Sequence, residues 1–287
     1  MMRVKRFLVL FFVCAIQVRA FSDVGQQMID AARIGDVEVI KTLIDQGVSV
    51  NVEDEDKETP LHVAAHSGHT DAVKYLIEMG ANVNAVNKKN ETPLFWPALN
   101  GHTDVVKCLI EHGANVNVRN FDEDIPLHKA SYSGHIEIIK ILIDHGANVN
   151  AISKIRELPL HAAIKRGNTE AVKYLIDHGS KVNVENENKQ TPLFWAASNG
   201  DTDTVRYLIK HGANVNVENE DKETPLHKAA QHGNLETIKL LIKYGANINA
   251  RNNENDTALT LANVFGHKRI AYYLMDFDTK NDGDKAE

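Results

Sequence analysis

The sequence predicts an all-α array of about eight helix–turn–helix–hairpin repeats, each 33 residues long. Three observations carry that expectation. Thr-Pro-Leu begins at Thr59, Thr92, Thr191 and Thr224, each a whole number of 33-residue steps from the others. Ile125-Pro126-Leu127, Leu158-Pro159-Leu160 and Thr257-Ala258-Leu259 fill the remaining phases without insertion or deletion. Stepping back from Thr59, the segment 26–51 still aligns, so windows start near 21, 54, 87, 120, 153, 186, 219 and 252. A fixed period of this size marks stacked repeats rather than one compact domain.

Residues 1–20 precede the array. Arg3, Lys5 and Arg6 stand before an apolar run from Phe7 to Ile16, and the segment closes on Val18-Arg19-Ala20. A basic start, a short apolar run and small residues before a cut are the features of a secretory signal peptide, with cleavage expected after Ala20. The run falls well short of the ~20 apolar residues that cross a bilayer. Cleavage removes four basic residues, no acidic one and Cys14, shifting the net charge from -7 to -11 and leaving Cys108 as the one thiol. A secreted or periplasmic location is expected, with bacterial periplasm, release into a host and eukaryotic secretion all open. No membrane span is expected after cleavage.

One window shows why the period folds. Thr59 can cap a helix through its hydroxyl, and Pro60 at the first helical position wastes no hydrogen bond. Leu61, Ala64 and Ala65 share an apolar face, and the small Ala side chains let a neighbour approach. Gly68-His69 breaks the helix, Thr70 opens a second, and Val73, Leu76 and Ile77 recur at helical spacing. Gly80 stops that helix, and Ala81-Asn82-Val83-Asn84 leads into the next hairpin. Two short helices cannot bury their own apolar face, so each window needs neighbours. The last window is expected to keep its helices to about Met275, followed by an acidic tail at 276–287. Gly283 in that tail sits where a calcium loop starting at Asp278 has its glycine, but the closing Glu is missing.

The windows 59–85 (TPLHVAAHSGHTDAVKYLIEMGANVNA) and 224–250 (TPLHKAAQHGNLETIKLLIKYGANINA) resemble the ankyrin repeat family nearly throughout. The resemblance covers about nine tenths of the chain. It implies L-shaped repeats stacked into a solenoid whose inner helices and hairpin tips form a concave binding face, and it implies no catalytic residue.

Composition agrees with this reading. With 43% apolar and 25% charged residues the chain is globular rather than disordered, and 39 acidic against 32 basic side chains argue against a large nucleic-acid footprint. Twelve of the fourteen His fall in three repeated phases, and His66 and His232 occupy the two positions before the inter-helix Gly. A column of His one repeat apart is unlike the converging ligands of a metal site, so no metal and no cofactor is expected. Motifs of zinc peptidases, phosphate-binding loops and nucleophile elbows are missing. Cys108 occupies a position that sister windows fill with Tyr75, Ile141, Tyr174 and Leu240, so packing is its expected role.

Several positions depart from the pattern. In the resembled family the residue two before the Thr is usually Gly, yet here stand Lys57, Asn90, Glu123, Arg156, Lys189, Lys222 and Asn255. Positive φ suits only the two Asn, so some tips are expected to relax into another turn type. Asn90 and Asn255 also fit the glycosylation acceptor pattern, by coincidence with the repeat Thr. Phe95-Trp96 and Phe194-Trp195 replace His-Leu or its kin and lie 99 residues apart, as duplication of a three-repeat block would leave them. Pro97 should distort its helix. Ile125 and Leu158 forgo the capping Thr at ~1 kcal/mol each.

In the resembled family, partners meet the variable tip positions and the two residues before the inter-helix Gly. Transferred to this chain, those positions are acids and amides in the second window (Glu55, Asp56, Glu58) and in the later ones (Glu187, Asn188, Gln190). The middle differs: Leu99, Phe121, Tyr132 and Ile155 are apolar, and Lys165 and Arg166 stand beside them. Aromatic and Arg anchors ringed by polar groups resemble a binding hot spot, with Phe121, Tyr132 and Arg166 its centre. The expected function is binding of a protein partner by a monomer that is not an enzyme. The alternative is a structural or inhibitory module that masks a partner's site.

Overall fold

The structure is a computed structural model that describes residues 24–283, with side chains to Asp278. The expected signal segment at 1–20 lies outside the described residues, as do the last four residues of the tail. Among the described residues there are sixteen helices and no strand. They form eight consecutive pairs: α1 (24–34) with α2 (Val37–Asp45), α3 (Pro60–Ser67) with α4 (Thr70–Glu78), α5 (Phe95–Asn100) with α6 (Thr103–Glu111), and α7 (Pro126–Ser133) with α8 (Ile136–Asp144). The later pairs are α9 (Pro159–Lys165) with α10 (Thr169–Asp177), α11 (Pro192–Asn199) with α12 (Thr202–Lys210), α13 (Pro225–Gln231) with α14 (Leu235–Lys243), and α15 (Ala258–Val264) with α16 (Lys268–Gly283).

The chain divides into two compact units. One holds the described residues through Phe121 together with Asp144–Gly146, and the other holds Asp122–Ile143 and everything from Ala147 on. In the first, α3 packs on α4 and α5; in the second, α11 packs on α9, α12 and α13. The helix faces read from the period are the buried ones: Leu61, Ala64, Ala65, Val73 and Leu76 are fully buried, and so are their counterparts Leu193, Ala196, Ala197, Val205 and Leu208.

Four of the first helices, α3, α7, α9 and α13, start on the same device. Thr59 has extended backbone, its hydroxyl accepts the His62 N–H at 3.4 Å, and His62 Nδ1 accepts the Thr59 N–H at 3.1 Å. With Nδ1 accepting, the proton sits on Nε2, which donates to the Glu91 carbonyl of the next repeat at 3.1 Å. One imidazole therefore closes its own helix and ties down the following tip. His227 does the same toward Thr224 and Asp256. At Ile125 and Leu158 the hydroxyl arm is lost, but His128 and His161 Nδ1 still accept the cap N–H at 3.1 Å. Ile125 and Leu158 are each only 1% exposed, so the apolar side chain gains burial that offsets the missing cap.

Pro97 distorts its helix as expected. α5 begins at Phe95, whereas α11, from the same TPLFW start, begins at Pro192. Pro97 has no N–H to give the carbonyl four residues back, and its ring crowds that carbonyl.

Two expectations are corrected. The tips do not relax: Lys57, Asn90, Glu123, Arg156, Lys189, Lys222 and Asn255 all keep positive φ, between 55° and 65°. The residue three positions earlier enforces it. Asp54 Oδ1 accepts the N–H groups of Asp56 and Glu58, both at 2.8 Å, and the Asp54 carbonyl accepts the Lys57 N–H at 3.0 Å. Asn87, Asn186, Asn219 and Asn252 repeat that turn, and three hydrogen bonds outweigh one strained residue. The last helix also runs to Gly283 rather than ending near Met275, because neither Gly nor Pro interrupts it after Lys268. The calcium-loop-like stretch from Asp278 is thus helical up to Gly283.

Candidate protein-binding surfaces

Two sets of groups stand where a partner would meet the chain: the tips and the last turns of the first helices. Consecutive tips are joined by single main-chain bonds. Lys88 N–H donates to the Asp56 carbonyl at 2.8 Å and Phe121 N–H to the Lys89 carbonyl at 3.0 Å in the first unit. In the second, Lys154 N–H donates to the Asp122 carbonyl at 2.7 Å and Glu187 N–H to the Ile155 carbonyl at 3.3 Å. Between tip and helix end, a second ladder uses the Asn of the Asn-Val-Asn link. Asn84 Nδ2 donates to the Gly113 carbonyl at 3.0 Å while its Oδ1 accepts the Asn115 N–H at 2.8 Å. Asn183 and Asn216 make the same pair of bonds to the next repeat. These clips satisfy carbonyls that a helix end leaves open, and they hold successive tips in register.

The glycine between the helices is needed on two counts. Gly68 has φ of 79°, and a Cβ there would meet His102 Nδ1 at 2.6 Å. That imidazole uses Nε2 to bond the His66 carbonyl at 3.1 Å. In the second unit Asn168 plays the part of His102, donating to the Ser131 and Tyr132 carbonyls at 3.0 Å.

On this frame the six expected anchors behave differently. In the first unit Phe121 is 68% exposed at a tip, whereas Leu99 is half-buried. In the second unit Ile155 is exposed at its tip. Tyr132 and Arg166 come together: the guanidinium carbon lies 4.6 Å from the ring centroid, with both side chains open to solvent. Lys165 is turned inward. Its ammonium pairs with Glu157, whose side chain is 10% exposed, and lies 4.5 Å from the centre of the Trp195 ring. Asn186 Nδ2 donates to the same Glu157 carboxylate at 3.3 Å. Glu157 occupies one of the variable tip positions expected to meet a partner and Trp195 stood out by the 99-residue recurrence of Phe-Trp, whereas nothing in the sequence marked Asn186.

The histidines are structural in their surroundings. Burial pushes the His62, His161 and His227 imidazoles below their usual range, His161 to about 4. Among the described residues no group of three or more His, Cys, Asp or Glu is placed to hold a metal ion, and no helix is long and apolar enough to cross a membrane. Cys108 is buried, and that burial raises its thiol above the usual range. Asn90, one of the two glycosylation acceptors by pattern, donates its side-chain amide to the Arg119 carbonyl at 2.6 Å. A cleft of about 530 Å³ beside the loop after α10 is lined by Ile176, Ser180, Lys181, Val182, Asn183 and His211 among others, and contains none of the six anchors.

Family models for ankyrin repeats match residues 28–120, 84–153 and 127–219 as three-copy units, and 208–262 as a many-copy unit. The crystal structure of the human ASB11 ankyrin repeat domain is similar at 36% sequence identity and a TM-score of 0.66, over 71% of this chain and 92% of that one. No curated protein matches the chain. The matched models run through most of the paired helices described above, and the chain belongs to the ankyrin repeat family.

Proposed function

We propose that this chain is an exported, monomeric protein-binding module without catalytic activity, and that Tyr132 and Arg166 are its principal anchors. Ankyrin repeats imply a protein partner, and the fold is typically a non-enzymatic interaction scaffold. The observation that carries the choice of anchors is the Arg166 guanidinium stacked on the exposed Tyr132 ring. Each side chain fixes the other before a partner arrives, which lowers the entropy lost on binding, and Arg and Tyr are the residue types that dominate interface energetics. Phe121 and Ile155 add exposed apolar groups at their tips. Lys165 contributes by holding its own repeat rather than by reaching outward.

Export rests on the basic, apolar and small-residue segments of 1–20. Sequencing the N-terminus of the chain recovered from fractionated cells tests it: Phe21 as first residue supports cleavage after Ala20, and an intact Met1 opposes it. For binding, the test is replacement of Phe121 and Tyr132 by Ala together. We expect lost capture of the exported-fraction partner with unchanged far-UV circular dichroism; retained affinity in a folded variant rejects these anchors. Whether the bound partner keeps its own activity then separates a scaffold from a masking inhibitor.

A further inference from the structure

The Lys165 arrangement has a counterpart 99 residues earlier in which the cation is missing. Glu157, Lys165, Asn186, Gln190 and Trp195 correspond to Glu58, His66, Asn87, Glu91 and Trp96. In the later set the Glu157 carboxylate holds the Lys165 ammonium over the Trp195 face, and Asn186 bridges Glu157 to Gln190 at 3.3 and 3.5 Å. That set is electrically balanced.

In the earlier set the bridge persists and the balance does not. Asn87 Nδ2 spans the Glu58 and Glu91 carboxylates at 3.5 and 3.2 Å, and Glu91 is 6% exposed. No basic side chain pairs with either acid among the described residues. The neutral Gln190 of the later set has become a second acid. On the Trp96 face, where the ammonium lies in the later set, the His66 ring is stacked flat at 4.5 Å and 8°. His66 itself is exposed and can swing aside. The tip that carries Glu58 also holds exposed Glu53 and Glu55, while its Asp56 pairs with Lys88 at 3.8 Å and Lys57 is exposed beside it. A nearly buried carboxylate with only an amide for company is costly unless a cation joins it.

We propose that Glu58, Glu91 and the face of Trp96 form a receptor for one lysine or arginine side chain on a basic segment of a protein partner. The entering cation displaces His66, pairs with the two carboxylates and lies on the indole as Lys165 lies on Trp195. Lys165 is thus the chain's own demonstration of the ligand chemistry. The proposal rests on the protein-binding reading above but uses residues that reading does not, so either can fail alone.

The chain contains two tryptophans, one in each set, which supplies the test. The two indole N–H signals of the full ¹⁵N-labelled chain are followed by NMR, assigned with Trp96→Phe, during titration with an acetylated, amidated pentapeptide carrying one central lysine. We expect the Trp96 signal to move saturably and the Trp195 signal to stay, with no response to the same peptide bearing acetyl-lysine. His66→Lys should install an internal ammonium and weaken the response at least about tenfold, whereas His66→Ala should keep it. Lys165→Met should make Trp195 responsive, a gain that misfolding cannot mimic. A stationary Trp96 signal, an equal response to acetyl-lysine, or a response to calcium chloride but not to the lysine peptide each overturns the proposal.

Discussion

The third and sixth repeats open on the same five residues, TPLFW, and then part: Pro97-Ala98-Leu99-Asn100 in one, Ala196-Ala197-Ser198-Asn199 in the other. Both lack the His that closes the first turn in the second, fourth, fifth and seventh repeats, and in both the Thr hydroxyl, of Thr92 or Thr191, is buried without a partner. Yet α11 starts at Pro192 and α5 only at Phe95. The shared loss of the His therefore does not delay a helix, and the proline does. Phe194 and Phe95 are nearly fully buried, so an apolar side chain at the His position keeps the repeat packed while giving up its polar bridges. Packing sets whether the repeat forms; the imidazole sets how it responds to acid.

The most severe way to test that comparison is to move the proline. Ala196→Pro should delay the start of α11 and cost about 3 kcal/mol in urea unfolding, because it removes a hydrogen bond and adds a clash in a regular helix. Pro97→Ala should return a smaller gain, since α5 has already adapted to the ring. An Ala196→Pro variant as stable as the parent would detach the late start of α5 from Pro97.

The next effect in size is acid sensitivity at a His-bearing repeat. His161 is fully buried and its imidazole is held down to about 4 against 6.5 when unfolded. The unfolded chain takes up the proton first, so this contribution is complete above about pH 6.5 and is lost as pH falls toward 4. At about 1.4 kcal/mol per unit the loss reaches about 3 kcal/mol. His161→Phe, which copies the third and sixth repeats, should flatten urea midpoints between pH 7 and 4. An unchanged slope would show that the repeats with Phe and those with His do not differ in this way.

The smallest effect lies at the tips. Asn90 lies in the tip of the third repeat and Lys189 in that of the sixth, at φ of 60° and 55°. Asn tolerates the left-handed region better than Lys does. Lys189→Gly should therefore stabilise by up to about 1 kcal/mol, while Asn90→Gly should bring no gain, because it also deletes the amide bond to the Arg119 carbonyl, as read from thermal midpoints. Equal gains at both tips would mean that the strain does not depend on the residue.

These contrasts also show which parts of the molecule were legible. The helix pairs followed from the period, and the trouble at Pro97 from the covalent structure of proline. The tips were misread because the residue two before Thr was judged alone; its conformation is set by Asp54 and its Asn counterparts three positions earlier. The His bridges and the Asn clips reach 29 or 31 residues ahead, and periodicity reveals a repeated residue without revealing its partner. Lys165 shows the same limit at the candidate site. Its position marked it as an outward anchor, and only the fold brings Glu157 and Trp195 around it.

The central claim is that an exposed Tyr132–Arg166 pair gives this array its hold on a partner. A double-mutant cycle on partner affinity, by calorimetry with Tyr132→Ala, Arg166→Ala and both, tests it most directly. We expect each single change to weaken binding at least about tenfold, and the double change to cost less than the product of the two, because the stacked pair acts as a unit. Affinities equal to the parent in folded variants would contradict it.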